Sequence, residues 1–215
     1  MSEQGVSNVL MGLGRMGVSW IDLPRNTRLA LLRVLGSVGD MLTQEGLSHV
    51  LWAIAVMGAP VALSSSASIT TTTSATASDG PVDEESRAAA RQASDALAIA
   101  LQRLISTDHA STAPFSAQTL SSVLYALALA SVASSNPGCG CAYADLDPLV
   151  REALETACMR TAGTMGAREV SLSFYGLGTS HTPVQLHHIS VLISFCFVLS
   201  DAYPCVVITS IFPFP

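Results

Sequence analysis

Val6-Ser7-Asn8-Val9-Leu10-Met11-Gly12-Leu13-Gly14, running on into Arg15-Met16-Gly17, admits two readings with opposite consequences. Gly12-Leu13-Gly14-Arg15-Met16-Gly17 matches G-x-G-x-x-G, whose glycines let a backbone approach a pyrophosphate at a helix N-terminus. The residues before the glycines instead place Val6, Leu10 and Leu13 at i, i+4 and i+7, one apolar stripe of a helix. Context decides between them. Trp20-Ile21-Asp22-Leu23-Pro24 follows almost at once, where a βαβ unit needs an uninterrupted helix, and the preceding segment has helical rather than strand periodicity. Gly12 and Gly14 then read as small positions that let a neighbouring helix come close, with Ser7 beside the stripe.

The same pattern occurs three more times, as Leu47-Ser48-His49-Val50-Leu51-Trp52-Ala53-Ile54-Ala55, Leu120-Ser121-Ser122-Val123-Leu124-Tyr125-Ala126-Leu127-Ala128 and Val170-Ser171-Leu172-Ser173-Phe174-Tyr175-Gly176-Leu177-Gly178. Each copy reads aliphatic, Ser, two variable residues, Leu or Phe, a large side chain, then small-aliphatic-small. The leading aliphatics are 41, 73 and 50 residues apart. The first spacing is the period and the other two carry insertions, and a period of about 40 belongs to two-helix solenoid repeats.

A second helix follows each anchor. Arg25 to Val38 carries Leu31, Leu35 and Val38 on one face, with Pro24 placed to start it. Ala93, Leu97, Ala100 and Leu104 repeat the stripe after an acidic start at Asp83, Glu84 and Glu85, which suits the positive end of a helix dipole. In the third unit Asp147 is an N-cap and Pro148 opens the helix, ahead of Val150 and Leu154. The expected fold is therefore all-α, an α-solenoid of helix-turn-helix repeats with a disordered insert and an irregular C-terminal tail. Its expected segments are 1–63 (repeat 1 and the first part of repeat 2), a Ser/Thr-rich insert at 64–83, 84–180 (the rest of repeat 2 to a partial repeat 4) and a non-repeat tail at 181–215.

Composition separates the insert and the tail from the repeats. Residues 64–79 are Ser or Thr at eleven of sixteen positions, too polar to bury the apolar area that would offset their ordering entropy. Ser134-Ser135-Asn136-Pro137-Gly138 reads as a second loop. Residues 181–215 hold no Arg, one acid (Asp201) and four of the six Phe. Two readings fit that tail: a stretch never selected to fold, such as translated intron or a shifted frame, or a tail anchor. A spanning helix needs about 20 mostly apolar residues, and Asp201 with Pro204 interrupts this one, so no membrane partner is expected unless the tail is a genuine anchor.

Charge and residue chemistry narrow the function classes. Ten Arg and no Lys against sixteen Asp and Glu give a net charge of -6, which excludes a chain that grips nucleic acid along its whole length by phosphate neutralisation. The charge is uneven, with four Arg against two acids in residues 1–35 and four acids in residues 79–85 alone. Cys139 and Cys141 form a Cys-Gly-Cys pair without a second Cys/His pair at ligand spacing, so no metal is expected. Cys158, on a helix face, reads as a small hydrophobe. His49, His109, His187 and His188 lack a carboxylate or Cys at a telling spacing, and the sequence predicts neither an enzyme nor a cofactor.

Gln4-Gly5-Val6-Ser7-Asn8-Val9-Leu10, Met16-Gly17-Val18 with Trp20 and Leu23-Pro24, and Leu47 through Gly58 resemble the octotricopeptide and heptatricopeptide repeat proteins, and the related FAST-kinase-like and RNA-editing-substrate-binding proteins. The resemblance is closest over residues 1–60, extends through 84–130 and 145–178, and then stops. It implies an α-solenoid that binds single-stranded RNA in organellar RNA processing, stability or translation, in a mitochondrion or a chloroplast. Two departures stand out: there is no C-terminal RNA-binding or nuclease-like module and no visible targeting peptide. Met1 falls inside a repeat, so the chain reads as a fragment. With Val6, Leu10 and Leu13 inward, Asn8 and Arg15 face outward with Met11 flanking, and the matching positions are His49 with Trp52, Ser122 with Tyr125 and Leu172 with Tyr175. One repeat can address about one base through two or three such side chains. Asn8, Arg15, His49, Trp52, Ser122 and Tyr125 are the candidate RNA-binding residues, and for Trp52, Tyr125 and Tyr175 packing against the next hairpin is the reading preferred to base stacking. Stacking is worth roughly 1–3 kcal/mol per base, which against the acidic charge predicts weak binding by this chain. The rival reading is a protein-binding solenoid scaffold without RNA contact.

Overall fold

A computed structural model describes residues 2–61, 63, 82–110, 115–133, 143 and 146–178. Most of the Ser/Thr-rich insert, the Cys139/Cys141 loop and the tail 181–215 lie outside the described residues. Among the described residues the chain is all-helical, with α1 (Glu3–Arg15), α2 (Arg25–Val38), α3 (Gln44–Met57), α4 (Val82–Ala110), α5 (Ala117–Ala133), α6 (Pro148–Thr161) and α7 (Ala167–Gly178), and no strand. The four copies of the pattern lie in α1, α3, α5 and α7. α4 begins at Val82, two residues inside the interval expected to be insert.

Numbering the pattern from its leading aliphatic as position 1, the helix ends fall in register. Position -3 caps the start: the Ser2 hydroxyl accepts from Gly5 N–H at 3.2 Å, Thr43 from Gly46 N–H at 3.1 Å, and Ser116 from Thr119 N–H at 3.0 Å. Position 12 ends the first two anchors: Gly17 and Gly58 have φ of +70° and +68°, left-handed values that glycine adopts without cost. Val18 N–H closes onto the Leu13 carbonyl and Ala59 N–H onto the Ile54 carbonyl, the bond that finishes such a helix end. The glycine motif thus dissolves into one packing position, Gly14 against α3, one helix stop, Gly17, and Gly12, which faces open space rather than the close neighbour its smallness suggested. Asp147 caps α6 as expected, its carboxylate accepting from Leu149 N–H at 2.9 Å.

The principal contacts run α1 on α3, α3 on α5 and α5 on α7, with α2 on α4 and α4 on α6 alongside. Helix periodicity explains how one short pattern serves three neighbours. Positions 1, 5 and 8 share the side toward the even-numbered helices, and Val6, Leu10, Leu47, Leu51, Ile54, Leu120, Leu124 and Leu127 are all buried there. Positions 2 and 9 face the following anchor: the Ser7 hydroxyl donates to the Gly46 carbonyl of α3 at 3.5 Å, and a Cβ on Gly14 would stand 3.0 Å from the Trp52 ring and 3.4 Å from Ala53 Cα. Position 7 faces the preceding anchor, and a Cβ on Gly176 would stand 2.7 Å from the Leu124 carbonyl oxygen. Glu3 adds a polar tie, its carboxylate accepting from Thr43 N–H at 2.9 Å.

The second layer closes by similarly intimate contacts. A Cβ on Gly39 would meet Ala96 Cβ at 2.8 Å. Arg103 of α4 donates to the carbonyls of Asp40 and Leu42, which the turn after α2 leaves unsatisfied. The stripe expected on α2 is displaced: Leu29, Leu32, Leu35 and Val38 are buried and Leu31 only partly so. The side of α2 that meets α4 is offset from the one its spacing alone suggested. On α4, Ala93, Leu97, Ala100 and Leu104 are buried as the spacing predicts.

Candidate functional site

The candidate residues share one side of the odd-numbered helices. Positions -1, 3, 6 and 10 are spaced i, i+4, i+7 and i+11, a single helix face pointing away from α2, α4 and α6. None of its described members is buried. Asn8 and Arg15 are exposed on α1, His49 and Trp52 are half-buried on α3, and Ser122 and Tyr125 are half-buried on α5. The face is continuous, but its side chains are not equally available to a ligand.

Asn8 and Arg15 project into solvent, Arg15 in the last turn of α1, where a cation is favoured. His49 Nε2 lies 4.0 Å from Glu45 Oε1, one turn earlier on the same helix. The Ser122 hydroxyl donates to its own helix, at 2.8 Å to the Gln118 carbonyl, and keeps its lone pairs as acceptors. The aromatic residues pack on neighbouring anchors. Trp52 lies over Gly14 of α1, and the Tyr125 ring stands 5.6 Å from that of Tyr175 on α7, inclined at 51°. That tilted geometry is a normal aromatic contact between helices. Glu45 and Arg168, exposed at position -1, also belong to this face. Their spacing of four from His49 and Leu172 is the signal that would have placed them there.

The arginines of residues 1–35 do not form an uncompensated basic patch. Arg33 pairs with Glu85 of α4, and Arg25 lies 3.7 Å from the other oxygen of that carboxylate. Two of the four cations therefore meet an acid in the layer away from the candidate face. On the face itself Arg15 and Arg168 bring positive charge and Glu45 negative charge.

One buried cluster stands apart from this surface. The Tyr143 hydroxyl donates to Glu155 Oε1 of α6 at 2.8 Å, and burial, reinforced by the Glu155 charge and that bond, pushes the phenol far above its ordinary value. Burial pushes the Cys158 thiol up to about 12, with Glu155 adding to the effect. A thiol held neutral at physiological pH is not a nucleophile, as its reading as a small hydrophobe implies. The cluster fastens residue 143 to α6. Among the described residues no group of three or more His, Cys, Asp and Glu is placed to hold a metal, and no helix is long and apolar enough to cross a membrane. Cys139, Cys141, His187 and His188 lie outside the described residues.

No family model, no curated protein and no solved structure matches this chain, and its likeness to the octotricopeptide and heptatricopeptide repeats rests on the quoted residues alone.

Proposed function

We propose that this chain is an α-solenoid with a period of about 40 that binds single-stranded RNA along the outer face of α1, α3, α5 and α7. One observation carries the reading: positions 3, 6 and 10, which vary from repeat to repeat, stay accessible on one side while positions 1, 2, 4, 5, 7 and 8 of α3 and α5 are buried. A surface that changes chemistry from unit to unit on a constant scaffold is what one-base-per-repeat recognition requires. Asn8, His49 and Ser122 would offer hydrogen bonds to base edges, Arg15 would contact phosphate, and the open faces of Trp52 and Tyr125 would stack bases. Affinity is low, because Arg25 and Arg33 are paired with Glu85 and few cations reach the face. An organellar setting, mitochondrion or chloroplast, follows from the repeat resemblance.

A second reading, a scaffold for a protein partner, draws on the exposed Val56 and the half-buried Leu129 and Leu172 on the same face. Crosslinking followed by recovery of RNA and of protein separates the two. RNA should be recovered, and Asn8→Ala combined with His49→Ala should lower it several-fold, since each lost hydrogen bond is worth about 0.5–1.5 kcal/mol. Recovery of protein alone, unchanged in the double variant, would reject the RNA reading. Submicromolar binding of generic RNA at physiological salt would contradict the charge argument.

A further inference from the structure

We propose that the side of α1 facing away from α3 is a self-association surface that receives α7 of a second copy of this chain, head to tail. Positions 4, 7 and 11 of α1 are Val9, Gly12 and Met16, and the same positions of α3 are Val50, Ala53 and Met57. Spacings of i, i+3 and i+7 put each trio on one side of its helix. In α3 that side lies against α1, with Ala53 beside Gly14, and the trio is 0%, 0% and 2% exposed. Val123 and Ala126 of α5 are buried in the same way. On α1 the matching trio is open: Val9 is 40% and Met16 70% exposed, and nothing lies within 4 Å of a Cβ placed on Gly12.

Among the described residues the complementary side is open on α7. Ser7, Ser48 and Ser121, at position 2, are buried against the following anchor, whereas Ser171 of α7 is exposed. The α1–α3 and α3–α5 junctions join a Ser-and-small side of one anchor to a Val-and-small side of the next, and at α5–α7 the receiving side carries Ser173 and Gly176 at the same positions. α7 carries Ser171 and Gly178 at positions 2 and 9, as α1 carries Ser7 and Gly14. The helix side that α1 is built to receive is displayed by this same chain, which selects a second copy over an unrelated partner. Because the two surfaces differ, the contact is heterologous and can add further copies.

Sedimentation of the full chain over a wide concentration range tests this pairing, which does not depend on whether the outer face binds RNA. The sedimentation coefficient should rise with concentration. Val9→Glu on α1 and Ser171→Glu on α7 replace exposed side chains, and far-UV circular dichroism will show that both variants keep their helices. Each variant alone should lose self-association. An equimolar mixture should recover it as a one-to-one dimer, because the first variant retains an intact α7 and the second an intact α1 surface. A wild-type chain that stays monomeric would overturn the proposal. So would association that survives in both variants, which would place the contact elsewhere, or association lost only with Val9→Glu, which would mean that two α1 surfaces pair with each other.

Discussion

Gly12 and Gly176 occupy position 7 of the first and last anchors, yet replacing each by Ala should move stability in opposite directions. At Gly12 a Cβ meets nothing within 4 Å, so the substitution acts through helix propensity alone and gains about 0.5–1 kcal/mol. At Gly176 the new Cβ would stand 2.7 Å from Leu124 Cβ, 2.7 Å from its carbonyl oxygen and 2.8 Å from its carbonyl carbon. Two of those three atoms are backbone and cannot rotate away. Carbon contacts settle at about 3.5–4.0 Å, so α7 must lift from α5 by roughly 1 Å, forfeiting up to half the dispersion attraction along the seam. Overpacking of this kind costs about 1–3 kcal/mol, and the propensity gain returns only part of it. For a chain of this length 1 kcal/mol moves Tm by about 2–4 °C. Gly176→Ala should therefore melt several degrees below wild type and Gly12→Ala slightly above it, in far-UV circular dichroism at a concentration where the chain is monomeric. A Gly176→Ala chain as stable as wild type would refute the seating of α7 on α5, and a destabilised Gly12→Ala monomer would refute the open side of α1.

Further predictions concern the buried cluster and the second layer. The Cys158 thiol ordinarily titrates near 9.0 and is held up to about 12 in the fold, so its contribution is present below pH 9 and is lost as pH rises toward 12; the Tyr143 phenol acts in the same direction. Cys158→Ala should flatten this alkaline loss in pH-dependent denaturant melts, and a slope equal to wild type would count against the buried thiol. In the native chain at pH 8 Cys158 should resist alkylation and react once denaturant is added, as read by peptide mapping. Tyr143→Phe removes the hydroxyl donor at 2.8 Å from Glu155 and should cost roughly 1–3 kcal/mol, with less than additive loss when combined with Glu155→Gln. Glu85→Gln should cost less than about 1 kcal/mol, because both bridges are roughly half exposed, and the difference from wild type should vanish at high salt; a persistent gap would mean that Glu85 acts through packing.

Much of the local structure was legible from residue order. Arg25 to Val38 forms a helix with the bounds its spacing indicated, Asp147 caps α6, and the stripe from Ala93 to Leu104 is buried. Each depends on residues within a few turns of one another. The caps at position -3 were equally local, and Ser2-x-x-Gly5 with Thr43-x-x-Gly46 would have extended the pattern four residues upstream of its leading aliphatic. The α2 stripe was displaced because the side a helix buries depends on where its neighbour lies. The candidate face was legible as a set of positions, and packing of Trp52 and Tyr125 on a neighbouring hairpin was expected, but their partners Gly14 and Tyr175 were not, since each contact joins residues on different helices.

By itself, the sequence determined that this chain is helical, that one pattern recurs four times, and which residues of each copy are apolar, small or variable. Those are properties of a single helix, set by a periodicity of 3.6 and by which side chains water rejects. Only the tertiary structure decided what each side of a helix meets. Val9 and Val50 have the same local surroundings, but one is exposed and the other buried, because α1 covers α3 and no described helix covers α1. Arg25 and Arg33 likewise count toward an excess of positive charge in residues 1–35 by composition, yet both meet Glu85, more than fifty residues away in the chain. Burial and charge pairing are set by proximity in space, and proximity between repeats is created by packing that local spacing does not contain.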